Sequence, residues 1–161
     1  MKTAIIYTSK KGTTKKVAHH IADKLGTENS ELIDIKKNKN IEFSKYDMIV
    51  LGSPIYAGNP ANSMRKFYSK YMQELVNRPL SLFVCGMEDQ YDKRQVELNN
   101  AYPEQLIKHS KASGFMGGEF LFEKMNFLEK AIIKKIAKTD KSVSSIDVGN
   151  IDLFIAEISK S

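Results

Sequence analysis

Hydroxyl, ammonium and glycine residues are concentrated in one short stretch near the start of the chain: Ser9, Lys10, Lys11, Gly12, Thr13 and Thr14. An apolar run precedes this stretch and a helical pattern follows it, which places free backbone N–H groups and the positive end of a helix dipole here. Gly12 lets the backbone turn tightly around a phosphate, and the three hydroxyl side chains can donate hydrogen bonds to its oxygens. The stretch therefore predicts a site for a phosphate-bearing ligand.

A simpler interpretation of the same stretch is an ordinary helix start. Thr13 or Thr14 would then cap the helix, and the lysines would lie in solvent. The stretch has a single glycine, whereas nucleotide triphosphatases need Gly-x-x-x-x-Gly-Lys-Ser/Thr and dinucleotide-binding folds need Gly-x-Gly-x-x-Gly. We exclude both of those motifs. The phosphate site and the plain helix cap stay open at this point.

Two later stretches carry residue types that suit a flat ring. The first reads Ser53, Pro54, Ile55, Tyr56, Ala57 and Gly58, and the second reads Cys85, Gly86 and Met87. Ile55 and Tyr56 put apolar and aromatic surface where loop residues are usually polar, which predicts stacking on a ring face. Backbone groups beside Gly86 suit the polar edge of the same ring. Tyr56 packed on a helix and Cys85 buried as a small side chain are the structural alternatives.

Acid–base catalysis and metal binding find little support in the sequence. His19 and His20 fall on the first helical pattern and His109 lies in a polar stretch, so the histidines have no metal-ligand spacing. Cys85 is the only cysteine, which excludes an intramolecular disulfide and fits a reducing compartment. We therefore assign no catalytic residue and no metal ligand.

Short apolar runs alternate with helical patterns along the chain. The runs at 4–7, 31–35, 48–51 and 80–84 predict strands, with helical spacing near 17–25 and 64–75. We expect a fifth strand within 115–122, a basic helix at about 123–138 and a closing helix at about 150–160. This alternation is typical of right-handed βαβ units and predicts an α/β fold with helices on both faces of a parallel sheet. Ligands bind such sheets beyond the carboxyl ends of the strands, where the three polar or aromatic stretches fall.

The chain has 161 residues, of which 42% are hydrophobic, and this suits one globular domain over 1–161. No apolar run approaches the roughly 20 residues of a membrane span, and the first residues do not resemble a secretory signal. We therefore expect a cytoplasmic protein. The net charge of +6 favours an anionic partner: a phosphate ligand, an acidic protein or a membrane surface. The lysines are spread over several helices without interleaved aromatic residues, so we expect no nucleic-acid partner.

The three stretches together resemble the ligand-binding loops of the flavodoxin family, and the resemblance covers nearly the whole chain. In flavodoxins a Ser/Thr-rich loop after the first strand binds the phosphate of FMN, and the next two strand-end loops enclose its isoalloxazine ring. The resemblance implies a three-layer, doubly wound sheet of five parallel strands in the order 2-1-3-4-5. It also implies FMN as the cofactor, bound by all the loop residues named above.

Within this family, the chain is most similar to the group that includes menaquinone-dependent protoporphyrinogen dehydrogenase. The similarity lies in "YDMIVLGSPIYAG" at 46–58, in Lys93-Arg94, and in "GGEFLFEKMNFLEKAIIKKIAK" at 117–138. The last stretch implies a basic helical insert, at about 123–138, that ordinary short flavodoxins lack. The chain departs from the pattern at Lys10 and Lys11, where a common flavodoxin loop has threonine. It also has Tyr56-Ala57 where the protoporphyrinogen enzymes have an Arg-Tyr pair.

The resemblance implies an FMN-binding oxidoreductase that mediates electron transfer, and it leaves two activities open. One is an electron carrier that works with a redox partner protein or a quinone. The other is a flavin-dependent dehydrogenase that acts on protoporphyrinogen IX with a quinone acceptor. A receiver-like signalling domain is a weak alternative, because it needs paired acidic residues after the first strand, where this chain has Thr8 and Ser9.

The insert also has two interpretations. Met125, Leu128, Ile132 and Ile136 share one helical face, which is typical of a helix packed on the core with its lysines in solvent. Additional apolar residues widen that face, and basic amphipathic helices of this kind can lie on anionic membranes. The second interpretation predicts weak contact with an anionic membrane surface and a peripheral position at the inner face of the membrane.

Overall fold

The computed structural model describes residues 1–137 and 141–160 of the chain. The strands are β1 Thr3–Tyr7, β2 Ser30–Asp34, β3 Met48–Tyr56, β4 Asn59–Pro60, β5 Leu80–Cys85, β6 Ala112–Phe115, β7 Glu119–Phe120 and β8 Val143–Ser144. The α-helices are α1 Thr13–Leu25, α2 Asn62–Lys70, α3 Met72–Val76, α4 Tyr91–Ala101, α5 Glu104–His109, α6 Phe127–Ala137 and α7 Val148–Ser159. Single 3-10 turns occur at Phe43–Lys45 and Phe122–Lys124.

Five of these strands form one parallel sheet in the order β2-β1-β3-β5-β6. β1 lies between β2 and β3, with Thr3 level with both Ser30 and Met48. From β3 the chain steps outward through β5 to β6, so the direction of winding reverses between β1 and β3. Counted along the five parallel strands, this is the order 2-1-3-4-5. The predicted doubly wound fold is confirmed.

Helices cover both faces of the sheet, because the central strands are apolar on both sides. Ile5 packs with residues of α1 and α7 in one core. Its neighbour Ile6 belongs to a second core, formed with residues of α2, α3, α4 and α5. Both side chains are fully buried. The three-layer arrangement follows from this alternation and agrees with the sequence analysis.

The fifth parallel strand lies earlier than the sequence predicts. It is β6, Ala112–Phe115, so the prediction that the fifth parallel strand lies within 115–122 is wrong. Ala112, Ser113 and Gly114 are small or polar, and a partly exposed edge strand of this kind does not form an apolar run. The chain then turns at Gly117, which has a φ of 73°. The apolar residues beyond it supply β7, which pairs antiparallel with β8 in a separate two-stranded sheet.

The helices differ from prediction in three respects. The pattern over 64–75 forms two helices, because the backbone at Tyr71 leaves helical geometry with φ −110° and ψ 21°. The polar stretch before β6 forms α4 and α5, which periodicity did not predict. The closing helix α7 begins at Val148, where the Asp147 carboxylate accepts a hydrogen bond from the Asn150 N–H at 2.9 Å.

The basic helix begins at Phe127, later than the sequence analysis placed it. A capping box sets its start: Asn126 Oδ1 accepts a hydrogen bond from the Glu129 N–H at 2.8 Å, and Glu129 Oε2 accepts one from the Asn126 N–H at 3.1 Å. Ile136 has no described side chain, and Lys138, where the prediction ended, lies outside the described residues. From here on, we use the term insert for the longer segment 117–137, which contains this helix and the residues that lead into it. Within the described ranges, no helix has both the length and the apolarity needed to cross a bilayer.

Candidate functional site

The three loops singled out in the sequence lie side by side at one edge of the sheet. They follow β1, β3 and β5, which are adjacent parallel strands, so their carboxyl ends meet there. Tyr7 is level with Gly52, and Pro54 is level with Cys85. We call them the first loop, 8–14, the second loop, 56–59, and the third loop, 86–90. The fold thus brings the predicted phosphate, ring-face and ring-edge residues to one place.

The first loop passes into α1 through Gly12, which is the N-cap residue in a left-handed conformation with a φ of 100°. No side chain caps this helix end, so the plain Thr13 or Thr14 cap considered from the sequence is wrong. Instead the Gly12 N–H donates to Ser9 Oγ at 3.0 Å, which closes the loop on itself. The backbone therefore has the turn that only glycine adopts without strain, at a helix N-terminus that favours anions.

Thr14 places a buried hydroxyl at the start of α1. Its side chain is 1% exposed, and its hydroxyl oxygen has no hydrogen-bond partner among the described residues. Burying a hydroxyl without a partner costs about 1–3 kcal/mol. The Cys85 thiol at the end of β5 lies close enough to interact with this hydroxyl, but sulfur is only a weak hydrogen-bond acceptor and does not satisfy it. Thr14 therefore fits a group that supplies acceptor oxygens at this helix end, as a phosphate does.

The lysines of the first loop point to the insert. Lys10 Nζ lies 3.2 Å from Glu129 Oε1, and Lys11 Nζ lies 2.7 Å from Glu129 Oε2. Lys11 also donates to the carbonyl oxygen of Lys124 at 2.8 Å. The hydrogen bond from the Lys11 ammonium holds the pKa of the Glu129 carboxyl down at about 2, and the bond from the Asn126 N–H is the next largest cause. One insert carboxylate thus bridges two cations of the predicted phosphate loop.

A second insert carboxylate lies beside the first turn of α1. Glu119 accepts hydrogen bonds from the Thr13 hydroxyl at 3.3 Å and from Lys16 Nζ at 2.9 Å. Sequence reasoning missed both insert carboxylates. Their partners lie more than a hundred residues away along the chain, and nothing local shows that pairing. The spacing of Asn126 and Glu129 in the sequence fits a capping box, but a capping box predicts only where the helix begins.

The second loop presents one exposed aromatic ring. Tyr56 is 43% exposed, whereas Ile55 is buried at the sheet end. Lys10 Nζ lies 5.8 Å from the centre of the Tyr56 ring, which joins this loop to the first. Desolvation, reinforced by the Glu129 carboxylate, raises the pKa of the Tyr56 phenol to about 12. The phenol is therefore neutral at physiological pH and offers an uncharged face for stacking.

The end of β3 and the remaining residues of the second loop determine the backbone shape of that loop. Ser53 Oγ donates to the Pro54 carbonyl oxygen at 3.1 Å and accepts from the Ala61 N–H at 3.2 Å, so this buried hydroxyl is occupied by the backbone. Ala57 and Gly58 both have positive φ, at 47° and 73°, which turns the chain back into β4. Ser53 and Pro54 support the loop from beneath, and Tyr56 to Gly58 form its surface.

The third loop is anchored by the first residue of the insert and by the chain that follows the insert. The Gly86 N–H donates to the Gly117 carbonyl oxygen at 3.0 Å, so that donor is occupied. The Ser145 hydroxyl donates to Met87 Sδ at 3.7 Å. Cys85 is 3% exposed, and burial raises the pKa of its thiol to about 12, with the Thr14 hydroxyl opposing part of that rise. Cys85 is therefore a buried structural thiol, as one of the sequence interpretations held.

The histidines lie apart from this edge of the sheet. His19 is exposed and His20 half-buried on α1, and His109 Nε2 lies 2.8 Å from the Arg78 carbonyl oxygen. Among the residues that the structure describes, no three His, Cys, Asp or Glu side chains come together in a way that could hold a metal ion.

Comparison with known proteins agrees with this geometry. A family model described as a flavodoxin domain matches residues 4–147. Protoporphyrinogen IX dehydrogenase [quinone] of Escherichia coli strain K12 is 20% identical over 98% of this chain and 94% of its own length. Oxidised flavodoxin 1 from Bacillus cereus is 25% identical, with a TM-score of 0.51 over 73% of this chain and 82% of that one. The flavodoxin of Streptococcus pneumonia TIGR4 is 16% identical, with a TM-score of 0.52 over 99% and 98% of the two chains, and it shows the fold alone.

The fold, the three loops and the family match define the chain as a member of the flavodoxin domain family. Its cofactor is FMN and its function is electron transfer. The buried Thr14 hydroxyl and the left-handed Gly12 fit the phosphate end of that cofactor.

Proposed function

We propose that FMN binds across the three loops, with its phosphate in the first loop and its ring against Tyr56 and the third loop. The observation that carries this placement is the buried, unpartnered hydroxyl of Thr14 at the N-terminus of α1. Ser9 and the backbone N–H groups around Gly12 complete the phosphate site. Bound there, FMN supplies one- and two-electron redox chemistry. The chain supplies the anion site, the neutral Tyr56 ring and a frame that fixes the third loop.

We further propose that a quinone exchanges electrons with the bound cofactor. A quinone that takes two electrons from the reduced cofactor and two protons becomes a quinol. The quinone specificity in the name of the Escherichia coli relative supports this acceptor. Protoporphyrinogen IX oxidation stays the alternative activity, supported by the same relative, although the chain has Tyr56-Ala57 where an Arg-Tyr pair is expected for it.

The outward face of α6 supports a membrane location for this exchange. Phe127 is 89% exposed, Leu128 69% and Ile132 48%. The alternative in which Leu128 and Ile132 pack on the core is therefore wrong. Lys134 and Lys135 are exposed on the same helix. Apolar residues facing outward, with lysines among them, fit an anionic lipid surface, where each nearby lysine contributes about 1 kcal/mol.

Anaerobic mixing tests the quinone proposal. The FMN-loaded protein is photoreduced and mixed with menadione, and the flavin absorbance is followed. We expect rapid return of the oxidised spectrum, and no return would overturn the quinone assignment. In a second arm, oxidised protein receives protoporphyrinogen IX and menadione. Protoporphyrin fluorescence above the protein-free rate would establish the dehydrogenase activity instead of the simple carrier.

Vesicle binding tests the membrane proposal. The FMN-loaded protein is centrifuged with vesicles of phosphatidylglycerol and phosphatidylcholine, and with phosphatidylcholine alone, at low salt. We expect co-sedimentation with the anionic vesicles only, and loss of it in a Lys134→Glu, Lys135→Glu variant. A Lys37→Glu, Lys66→Glu variant makes the same change in net charge at exposed positions outside the insert and should still bind. Equal behaviour of the two variants would show a general charge effect and contradict the role of α6.

A further inference from the structure

Lys10 and Lys11 of the first loop already pair with a carboxylate of α6, and this carboxylate would compete with the FMN phosphate for the two lysines. Glu129 bridges Lys10 and Lys11, with Nζ to carboxylate distances of 3.2 and 2.7 Å. Lys11 and Glu129 are only 25% exposed at this contact. If the FMN phosphate occupies the first loop, a doubly charged anion lies beside the same lysines. The Glu129 carboxylate and the phosphate would then repel each other across a few ångströms.

The strength of this competition follows from simple electrostatics. A carboxylate and a dianionic phosphate that share two lysines repel each other even in a water-like dielectric, and more strongly where water is partly excluded. The pair of Lys10 with Glu129 is only partly shielded from water, and ion pairs of this kind contribute little to the stability of a fold. Two lysines can therefore exchange one anion for the other at little cost.

We propose that Glu129 is a displaceable counter-ion of the phosphate loop, which occupies Lys10 and Lys11 when FMN is absent and leaves them when the phosphate binds. This inference rests on the placement of FMN proposed above. Glu129 is then a specificity residue, because it opposes ligands that carry the phosphate and is indifferent to riboflavin. Its release also loosens α6, since the Glu129 pairs join that helix to the first loop. The residues that precede α6 keep two other contacts, the Lys11 bond to the Lys124 carbonyl oxygen and the pair of Glu119 with Lys16 of α1.

The capping box allows the charge to be removed without losing the helix start. Glutamine serves as well as glutamate at this position of a capping box, so Glu129→Gln keeps the bond to the Asn126 N–H. Glu104→Gln is the matched control, because Glu104 is also a first-turn glutamate, on α5, paired with a lysine, Lys108. The cofactor-free protein is titrated with FMN and with riboflavin by flavin fluorescence at low salt.

We expect Glu129→Gln to tighten FMN binding by about three- to tenfold and to leave riboflavin binding unchanged. Glu104→Gln should change neither. The FMN gain should shrink in high salt, because screening weakens the repulsion it removes. Weaker FMN binding in Glu129→Gln, or an equal change for both ligands, would overturn the proposal.

Hydrogen exchange gives a readout independent of affinity. In the wild-type protein, FMN or inorganic phosphate should speed amide exchange over residues 127–135, and riboflavin should not. In Glu129→Gln these amides should exchange fast from the outset. Slower exchange on FMN binding would overturn the proposal. A first loop that fails to discriminate FMN from riboflavin at all would instead refute the underlying placement of the phosphate, so the two failures can be told apart.

Discussion

Gly117 and Ser145 approach so closely that a Cβ atom on Gly117 would lie 1.9 Å from the Ser145 carbonyl oxygen. Gly117 also has a φ of 73° and accepts the hydrogen bond from the Gly86 N–H. The junction of the insert with the rest of the domain thus fixes the third loop. This contact between two backbones explains why the chain needs glycine at this point.

Gly117→Ala tests that contact, and Gly58→Ala is its internal control. The two glycines share a φ of 73°, but a Cβ on Gly58 would meet nothing within 4 Å. We expect Gly58→Ala to lower the free energy of unfolding by about 1 kcal/mol, the cost of a left-handed alanine. Gly117→Ala should cost at least about 2 kcal/mol more, because the backbone must shift. Urea unfolding of the cofactor-free variants measures both, and equal losses would mean that the contact relaxes freely.

Removing the hydroxyls of Ser9 and Thr14 tests the phosphate site. A hydrogen bond to a charged group contributes about 1.5–3 kcal/mol, so the Ser9→Ala, Thr14→Ala variant should bind FMN at least about a hundredfold more weakly. Riboflavin binding should hardly change, since riboflavin has no phosphate. Fluorescence titration with both flavins provides the comparison, with Thr27→Ala at an exposed position as the control. Equal losses for FMN and riboflavin would contradict the placement.

The Cys85 thiol offers a prediction for the pH dependence. Its pKa is raised to about 12 in the folded chain, and an unfolded cysteine titrates near 8.5. A raised acid pKa contributes stability that is present below the unfolded pKa and is lost as the pH rises towards 12. We expect the free energy of unfolding to fall from about pH 8.5 upwards, and Cys85→Ala to flatten that fall. Iodoacetamide at pH 8.5 should react at least about a hundredfold faster in urea than with the native chain, and comparable rates would contradict a buried thiol.

The parts of the fold that the sequence predicted are those with a local signal. The buried strands appear in the sequence as apolar runs. The loops that follow them contain glycines and hydroxyl residues, which are typical of turns and of anion sites. β6 was misplaced because an edge strand of Ala112, Ser113 and Gly114 buries too little to form such a run. The spacing of apolar residues in α6 defines an apolar face, but it does not show whether that face packs on the core or faces outward. Tertiary packing decides this.

The position of the candidate site in the fold was predictable from the sequence, and its ion pairs were not. The assignment of Gly12 and Thr14 to an anion stays a prediction, and it could be made because backbone geometry and hydroxyl chemistry are local properties. The ion-pair partner of Lys10 and Lys11 could not be predicted locally, because Glu129 lies far from them in the sequence, beyond all five strands of the main sheet. Ion pairs between residues far apart in the chain have no characteristic spacing in the sequence that would reveal them.

The chain enters the insert near Gly118 and returns to the rest of the domain near Ser145, at nearly the same place. The Ser145 N–H donates to the Gly118 carbonyl oxygen at 2.8 Å, and the Asp147 N–H donates to the Met116 carbonyl oxygen at 2.9 Å, so the departing and returning chains are already joined. An excursion closed at its base can be gained, lost or lengthened without changing the register of any strand in the main sheet. A single insertion at this connection would therefore be enough to add a separate contact surface to a short flavodoxin-like chain.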